Sequence, residues 1–563
     1  MKKIYLLAVS LTISISSFSQ SANWAWAHKA TGSGSESGSG IVADKAGNVY
    51  VTGSFTSDTL TFGTIQLINA GGGGSDIFIA KYSSSGSVIW AKRIGGTLNE
   101  GANGIAIDGS ANVYITGYFV SASISFGSIT LTNTDPDDIF IAKYDSSGNA
   151  LWAKKAGSLG AGTGNVNSNG IATDAGGHVF ITGFFSNHVI TFGTININNI
   201  DTPQYDIFVA KYDAVSGNPV WAKSTGGTGN DYGYSVATDA AGSVYVVGSF
   251  NSPTIVFDTT TLTSHGNYDV FFGKYDASGN PQWARNPGGT GNEEGASVAT
   301  DTSGNIYITG YFGSALINFG GGNLGNGGLV NIFVASYTSS GNGGWAERFG
   351  GTGYDYGASI TTDATGNLLL AGYTASPTIL LGSTLLTNAV SGGGSYDIYV
   401  TRLQALTGSP LWAKGAGGTD YDQATSVTAD AAGNTYVTGS FKSATCLFGS
   451  ISLTWSGAAA TYDLFVAKLS APTDVNEIET ENGLTVYPNP ATNSIYLTFD
   501  NIEINDQSFV SLYSALGEKL MERKIEAANK QFVIDSGNLK NGIYFITVFT
   551  GNQYLTKKIA IIK

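Results

Sequence analysis

Cysteine is almost missing from this chain of 563 residues: Cys446 is the one it has. A disulfide framework within the chain is therefore excluded, and rigidity has to come from packing and hydrogen bonding. Charge is scarce as well, at 12% of residues, and basic residues are the smaller share, 27 Lys and Arg against 41 Asp and Glu for a net charge of -14. Nucleic acid and anionic membrane surfaces, which are recognised through basic patches, are thereby poor partners. After the first twenty residues no apolar run reaches the roughly 20 residues that a spanning helix needs, so no transmembrane helix is expected. The four histidines, His28, His178, His188 and His265, fall in no metal-ligand spacing. Nor does the chain contain a GxSxG elbow, a phosphate-cradling Walker loop or an HExxH pair, so the common signatures of acyl transfer, nucleotide binding and zinc hydrolysis are absent.

What is abundant is glycine (78), tyrosine (29), phenylalanine (28) and tryptophan (9), a mixture of turn formers and strand formers that points to an all-β protein. The opening "MKKIYLLAVSLTISISSFSQ" places Lys2 and Lys3 before an apolar stretch and small residues at Ser17 and Ser19, the pattern of a secretory signal peptide over residues 1–19.

Internal repetition dominates the rest. Trp26, Trp90, Trp152, Trp221, Trp283, Trp345 and Trp412 recur at nearly even intervals. Each is followed by a strand ending in an aspartate: Asp44, Asp108, Asp174, Asp239, Asp301, Asp363 and Asp430. The interval from Trp to Asp is identical in six repeats and longer in the third, which has an insertion around "SLGAGTGNVN". Each aspartate opens a tight turn such as "DKAGNVY", where Asp supplies an acceptor and Gly a positive φ. A strand like "VYVTGSF", a variable stretch with "TFG" or "SFG", a strand like "DIFIAKY" and the next Trp strand complete a four-stranded meander. Seven such meanders predict a seven-bladed β-propeller over residues 22–470. The order "NVYVTG…DIFIAKY…G…W" resembles the bacterial SBBP β-propeller repeat, from Trp26 to about Leu469, a resemblance that implies a fold and no particular activity. The last repeat stops at "DLFVAKL" without a Trp strand, so "SANWAWAHKA" is expected to supply its fourth strand and close the ring.

Three sets of repeated positions bear on function. The tryptophans, in strict register, are expected to pack between blades, and Cys446, where other repeats carry Leu60 or Ile124, is expected to be a small core residue. The aspartate opening "DIFIAKY", replaced by Asn331 in one repeat, is expected to hold a neighbouring loop. Eight residues before each turn aspartate stand Glu36, Glu100, Val166, Asp231, Glu293, Asp355 and Asp422. The six acids among them have two readings. Each either caps its own "GGTG" loop by accepting backbone N–H bonds, or together they ring the channel mouth and bind a cation, calcium being the hard ion suited to carboxylates, or a cationic ligand. No cofactor is required by either. Departures from the repeat are where catalysis would sit, and the third repeat departs most, with its insertion, His178, His188 and Val166 in place of an acid.

Periodicity ends near Leu469. Residues 471–482 read as an acidic linker, and residues 483–563 as a small Ig-like β-sandwich. "VYPNP" at Val486, Tyr487, Pro488, Asn489 and Pro490, then Leu512, Tyr513 and Gly517, then Gly542, Ile543 and Tyr544, and a tail starting at Lys557 and Lys558, resemble the type A C-terminal sorting domain of type IX secretion in Bacteroidota. The resemblance implies passage through an outer-membrane translocon, processing by a sortase-like peptidase, and a secreted or outer-surface address. The expected function is a non-enzymatic binding or adhesion module with a glycan or surface protein as ligand; the alternative is a secreted carbohydrate-active enzyme with its site on one propeller face.

Overall fold

The chain divides into two compact units, Met1–Pro472 and Thr473–Lys563. The computed structural model describes residues 22–561 except 72, 134–135, 159–163, 391, 393, 458–460, 472–483, 500–503, 515–517, 527–530 and 551–553. The expected signal peptide, the linker beyond residue 471, the centre of the third-repeat insertion and Gly517 thus lie outside the described residues.

Each repeat of the first unit forms an antiparallel sheet in chain order, the first from Glu36–Ala43, Val49–Phe55, Asp76–Tyr82 and Val88–Ile94. The stretch read as a variable connection is itself structured: Thr59–Phe62 pairs with Ile65–Ile68 in a short hairpin, and its counterparts recur in the other repeats. The four-strand meander is correct for the sheet but omits this hairpin. In the third repeat the hairpin Val189–Phe192 and Ile195–Asn198 adds to the edge of the preceding sheet through Ala150–Ser158.

The first, innermost strands touch in a cycle. Glu36–Ala43 contacts Glu100–Ile107, and so on round to Asp422–Ala429, which contacts Glu36–Ala43. Such a cycle of radial sheets is a propeller-like, all-β arrangement, with no helix among the described residues and none long and apolar enough to cross a membrane. The last sheet has three strands of its own, Asp422–Ala429, Thr435–Phe441 and Asp463–Leu469. Its fourth is Trp24–Lys29, antiparallel to Asp463–Leu469 with Ala27 opposite Ala467 and His28 opposite Val466. This pairing covers an edge that would otherwise present unpaired backbone groups.

The repeated motifs have local causes. Asp44 Oδ1 accepts the N–H groups of Ala46 and Asn48, both at 2.9 Å, and Oδ2 accepts from Asn48 Nδ2 at 2.8 Å. Gly47, at φ +78°, takes the left-handed position of that turn. In the third repeat His178 replaces the asparagine and its Nδ1 lies 2.9 Å from Asp174 Oδ2, so this histidine belongs to a turn. The tryptophans join neighbouring sheets: Trp90 Nε1 donates to Ser146 O at 3.2 Å, in the outer turn of the next repeat, and Trp26 to Ser84 O at 3.2 Å, which ties the last sheet to the first. Between sheets the core is apolar, with Val51, Phe62 and Phe78 of the first packed with Val466 of the last. Cys446 is fully buried with Phe448 and Phe465.

The second unit has two antiparallel sheets, one of Leu484–Tyr487, Ser494–Phe499 and Gln531–Asp535, the other of Lys519–Lys524, Phe509–Ser514, Gly542–Phe549 and Tyr554–Ile561. They share a core that includes Ile495, Leu497, Val510, Ile546 and Val548.

Deleting Ser21 to Thr31 removes the closing strand and reopens the edge of Asp463–Leu469. The expected outcome in thermal unfolding of the full chain is a Tm lower by roughly 5–10 °C, while a cut of the same length in an exposed loop leaves Tm nearly unchanged.

Candidate functional site

The six acids are turned into the protein. Glu36, Glu100, Asp231, Glu293, Asp355 and Asp422 are all 0% exposed. Protein donors hold them there: Glu293 Oε2 accepts the N–H of Gly289 at 2.9 Å, and Oε1 accepts the Ser314 hydroxyl at 2.6 Å and its N–H at 3.0 Å. The same lock joins Asp231 to Gly227 and Ser252, and Asp355 to Gly351 and Ser376. Glu100 accepts the N–H groups of Gly96 and Ser121, Asp422 the hydroxyl of Ser443, and Glu36 the hydroxyl of Ser57. The serine hydroxyl in turn accepts an N–H of the same loop, as from Gly291 at 2.7 Å. Where Val166 replaces the acid, the serine at the matching place beyond the next strand is replaced too, by Asn187. At Glu100, Asp231, Glu293 and Asp355 the acid accepts a glycine N–H of its own loop, as the capping alternative has it. Burial drives the carboxyls up, Glu36 to about 8 and Asp231 and Asp422 to about 6, against the lowering effect of their hydrogen bonds. Among the described residues no group of three or more His, Cys, Asp or Glu is placed to hold a metal ion. The "DIFIAKY" aspartates hold loops, as expected: Asp76 Oδ2 accepts the N–H of Ala70 at 2.8 Å and Asp206 Oδ2 that of Ile200 at 2.8 Å.

What faces the axis instead is a set of β-bulges. Every inner strand shifts register at the same place, between Gly38 and Gly40, Ala102 and Gly104, Ser168 and Gly170, Gly233 and Ser235, Gly295 and Ser297, Gly357 and Ser359, and Ala424 and Ser426. The extra residue of a bulge is re-aimed away from the ladder. Here Ser39, Asn103, Asn169, Tyr234, Ala296 and Thr425, contributed by six different sheets, line one cavity of about 310 Å³ with Glu294. The bulge also explains the glycine of the "TG" motif. A Cβ on Gly53 would collide with Ser37 O, and one on Gly310 with Glu294 O.

The position beside the acids varies where the acids themselves hardly do. Directly after each acid, or Val166, stand Ser37, Gly101, Asn167, Tyr232, Glu294, Tyr356 and Gln423, so the position varies while its predecessor stays nearly constant. Around Tyr232 gather Phe184 at 4.9 Å between ring centroids, Tyr205 at 5.6 Å, Tyr234 at 6.0 Å and Tyr268 at 6.2 Å. Around Tyr356 gather Tyr373 at 4.9 Å, Tyr311 at 5.0 Å and Tyr396 at 6.0 Å. Glu294 joins the two groups, accepting from Tyr311 Oη at 3.2 Å and hydrogen-bonded to the Tyr234 hydroxyl. Burial raises the Glu294 carboxyl, and burial together with that carboxylate raises the Tyr234 and Tyr311 hydroxyls. This aromatic arc was missed in the sequence, where the tyrosines look like ordinary strand formers. The signal that could have found it is the variable residue next to each acid.

In the second unit the "YPNP" residues fasten the chain's last strand. Asn489 Oδ1 accepts the N–H of Ala560 at 2.9 Å, and Asn489 Nδ2 donates to Lys558 O at 3.3 Å. Between the two prolines, Pro488 and Pro490, Asn489 thus sits against the strand that carries Lys557 and Lys558. Tyr487 stacks on Tyr496 at 5.6 Å, and Tyr544 Oη donates to Lys540 O at 2.9 Å, two residues before Gly542.

Residues 485–563 match the family model described as a secretion system C-terminal sorting domain. That domain is present, and it supports export to the outer surface. Among curated proteins, the chain is 29% identical over 235 residues to an uncharacterized WD repeat-containing protein of Acanthamoeba polyphaga mimivirus, covering 36% of this chain and 17% of that protein. It is 25% identical over 218 residues to the regulatory protein FlaEY of Caulobacter vibrioides, covering 36% and 22%. The chain thus spans less than a quarter of the length of either relative. Among solved structures, a gluconolactonase from Xanthomonas campestris aligns at 12% identity over 65% of this chain and 86% of that one, with a TM-score of 0.29. A Bacteroides thetaiotaomicron protein of unknown function aligns at 11% over 76% and 96%, with a TM-score of 0.25. Neither likeness carries an argument about activity.

The raised Glu36 carboxyl has a definite pH signature. Its folded value lies above its unfolded one, so its contribution to stability is present below the unfolded value of 4.5 and is lost as pH rises toward about 8. In pH-dependent denaturation, Glu36→Gln is expected to gain on the parent chain by on the order of 1 kcal/mol per pH unit across that window.

Proposed function

We propose that residues 22–470 form a seven-bladed β-propeller of the SBBP type, and that residues 483–563 are an Ig-like type A sorting domain that sends it through the type IX translocon of a Bacteroidota cell. With the leader over residues 1–19 taking the chain across the inner membrane and a sortase-like peptidase processing the tail, the product is a secreted or surface-held protein. Its role is a non-enzymatic binding or adhesion module for a glycan or a surface protein. The observation that carries this reading is the sorting-domain match over residues 485–563. Its binding part is supported by the channel lining, which offers Tyr234, small polar residues and one carboxyl, Glu294. Glycoside hydrolysis normally works with two carboxyl groups placed on either side of the scissile bond, so the alternative of a carbohydrate-active enzyme would need a second acid there.

The export half is tested by deleting residues 484–563 and treating intact cells with an added protease. The full chain is expected to be degraded or found in the medium, and the shortened chain to stay protected inside the cell; equal accessibility of the two would refute the export route.

A further inference from the structure

The arc from Tyr232 to Tyr356 is not explained by the fold. Five of the seven repeats manage without a tyrosine at the position after the acid, and partly buried polar networks of this kind carry a desolvation cost that the frame does not require. We infer that the axial cavity at Tyr234 and Glu294, together with the Tyr232 and Tyr356 ring clusters packed beside them, is a binding site for a neutral carbohydrate chain. This inference rests on the binding role proposed above and names the ligand class for it.

Four observations select that class. First, the lining holds no lysine or arginine. A phosphate, sulfate or uronate would meet no counter-charge there, and the carboxyl of Glu294 would repel it. Second, tyrosine rings offer flat apolar faces that end in a hydroxyl, matching a sugar ring whose faces are C–H and whose edges are O–H. Tyr232, Tyr234, Tyr311 and Tyr356 are all partly exposed, as an open stacking surface requires. Third, the opposite wall is small, polar and uncharged: Ser39, Asn103, Asn169 and Thr425. The amide nitrogens of Asn103 and Asn169 are already committed to the neighbouring sheets, to Ser168 O at 3.1 Å and Gly233 O at 2.9 Å, which leaves their side-chain oxygens as acceptors for ligand hydroxyls. Fourth, at about 310 Å³ the cavity lies at the lower end of the roughly 300–1,000 Å³ of ligand sites, enough for the end of a chain rather than a folded partner. Glu294, between two tyrosine hydroxyls, serves as the central hydrogen-bonding group and can accept from a sugar hydroxyl.

The test is calorimetric titration of the full chain with cello-, xylo-, malto- and manno-hexaose and with chitohexaose, alongside an oligolysine peptide. Tyr234→Ala, Tyr234→Phe and Glu294→Gln are measured in parallel, with Tm recorded for each. At least one hexasaccharide is expected to bind, to lose about tenfold in affinity in Tyr234→Ala, to lose several-fold in Glu294→Gln, and to be largely retained in Tyr234→Phe. If Tyr234→Ala does not fold, the comparison of Glu294→Gln with the parent decides. Absence of binding by all five at millimolar concentration, or binding that the variants leave unchanged, overturns the inference. So does binding of oligolysine in place of the sugars, which would make the aromatic arc with Glu294 a cation site. None of these outcomes touches the export reading, which the protease experiment decides separately.

Discussion

A carboxyl group buried at the start of an inner strand is the constraint on which the propeller-like unit depends. Taking such a group out of water is costly unless donors replace the lost hydration. Here they come from a glycine N–H shortly before the acid and from a serine just past the hairpin's second strand. One side chain thereby fixes the loop arriving from the previous sheet, the start of its own inner strand and the end of the next strand. The loop's backbone joins the same junction, since the N–H of Glu293 donates to Tyr268 O at 2.8 Å in the preceding repeat. Repeated six times, the lock sets each sheet's position against its neighbour, and the outer tryptophans do the same at the far edge.

Because the lock uses only the acid's own side chain and the bulge is internal to each sheet, the residues next to them are free to differ. Alternation along the strand turns the position after the acid to the side opposite the acid, and the bulge two residues on turns another side chain to the axis. The scaffold therefore repeats closely while its axial lining does not: Tyr234 and Glu294 stand among serine, threonine, alanine and asparagine. Single-site asymmetry on a repeating frame is what a specific ligand requires, since a ligand without sevenfold symmetry gains nothing from seven equal contacts.

Much of the frame was legible in the sequence. The tryptophan and aspartate periods gave the repeats, "DKAGNVY" gave the turn, and the missing Trp strand of the last repeat pointed to Trp24–Lys29 as its partner. These signals are local or strictly periodic. The hairpin at Thr59–Phe62 was not legible, because such short strands hold too little alternation to stand out. The bulge was hidden for a different reason: its trace is the glycine in "VYVTGSF", which looks like a poor strand residue until Ser37 O is placed against it. Spacing put the six acids in equivalent places, but pattern cannot distinguish a carboxylate turned into the protein from one turned to water. The deciding clue, Asn187 in place of serine where Val166 replaces the acid, lies beyond the following strand and outside any local motif.

Glu293 and Glu294 are adjacent in sequence, yet one is fully buried in the lock and the other lines the cavity. The most direct test of the account is the thermal unfolding of Glu293→Ala beside Glu294→Ala in the full chain. Loss of Glu293 strands the Gly289 N–H and the Ser314 hydroxyl, which should cost on the order of 1–3 kcal/mol and lower Tm clearly, whereas Glu294→Ala should leave Tm close to that of the parent. Equal losses, or a larger loss for Glu294→Ala, would contradict the division between a buried structural acid and a ligand-facing neighbour.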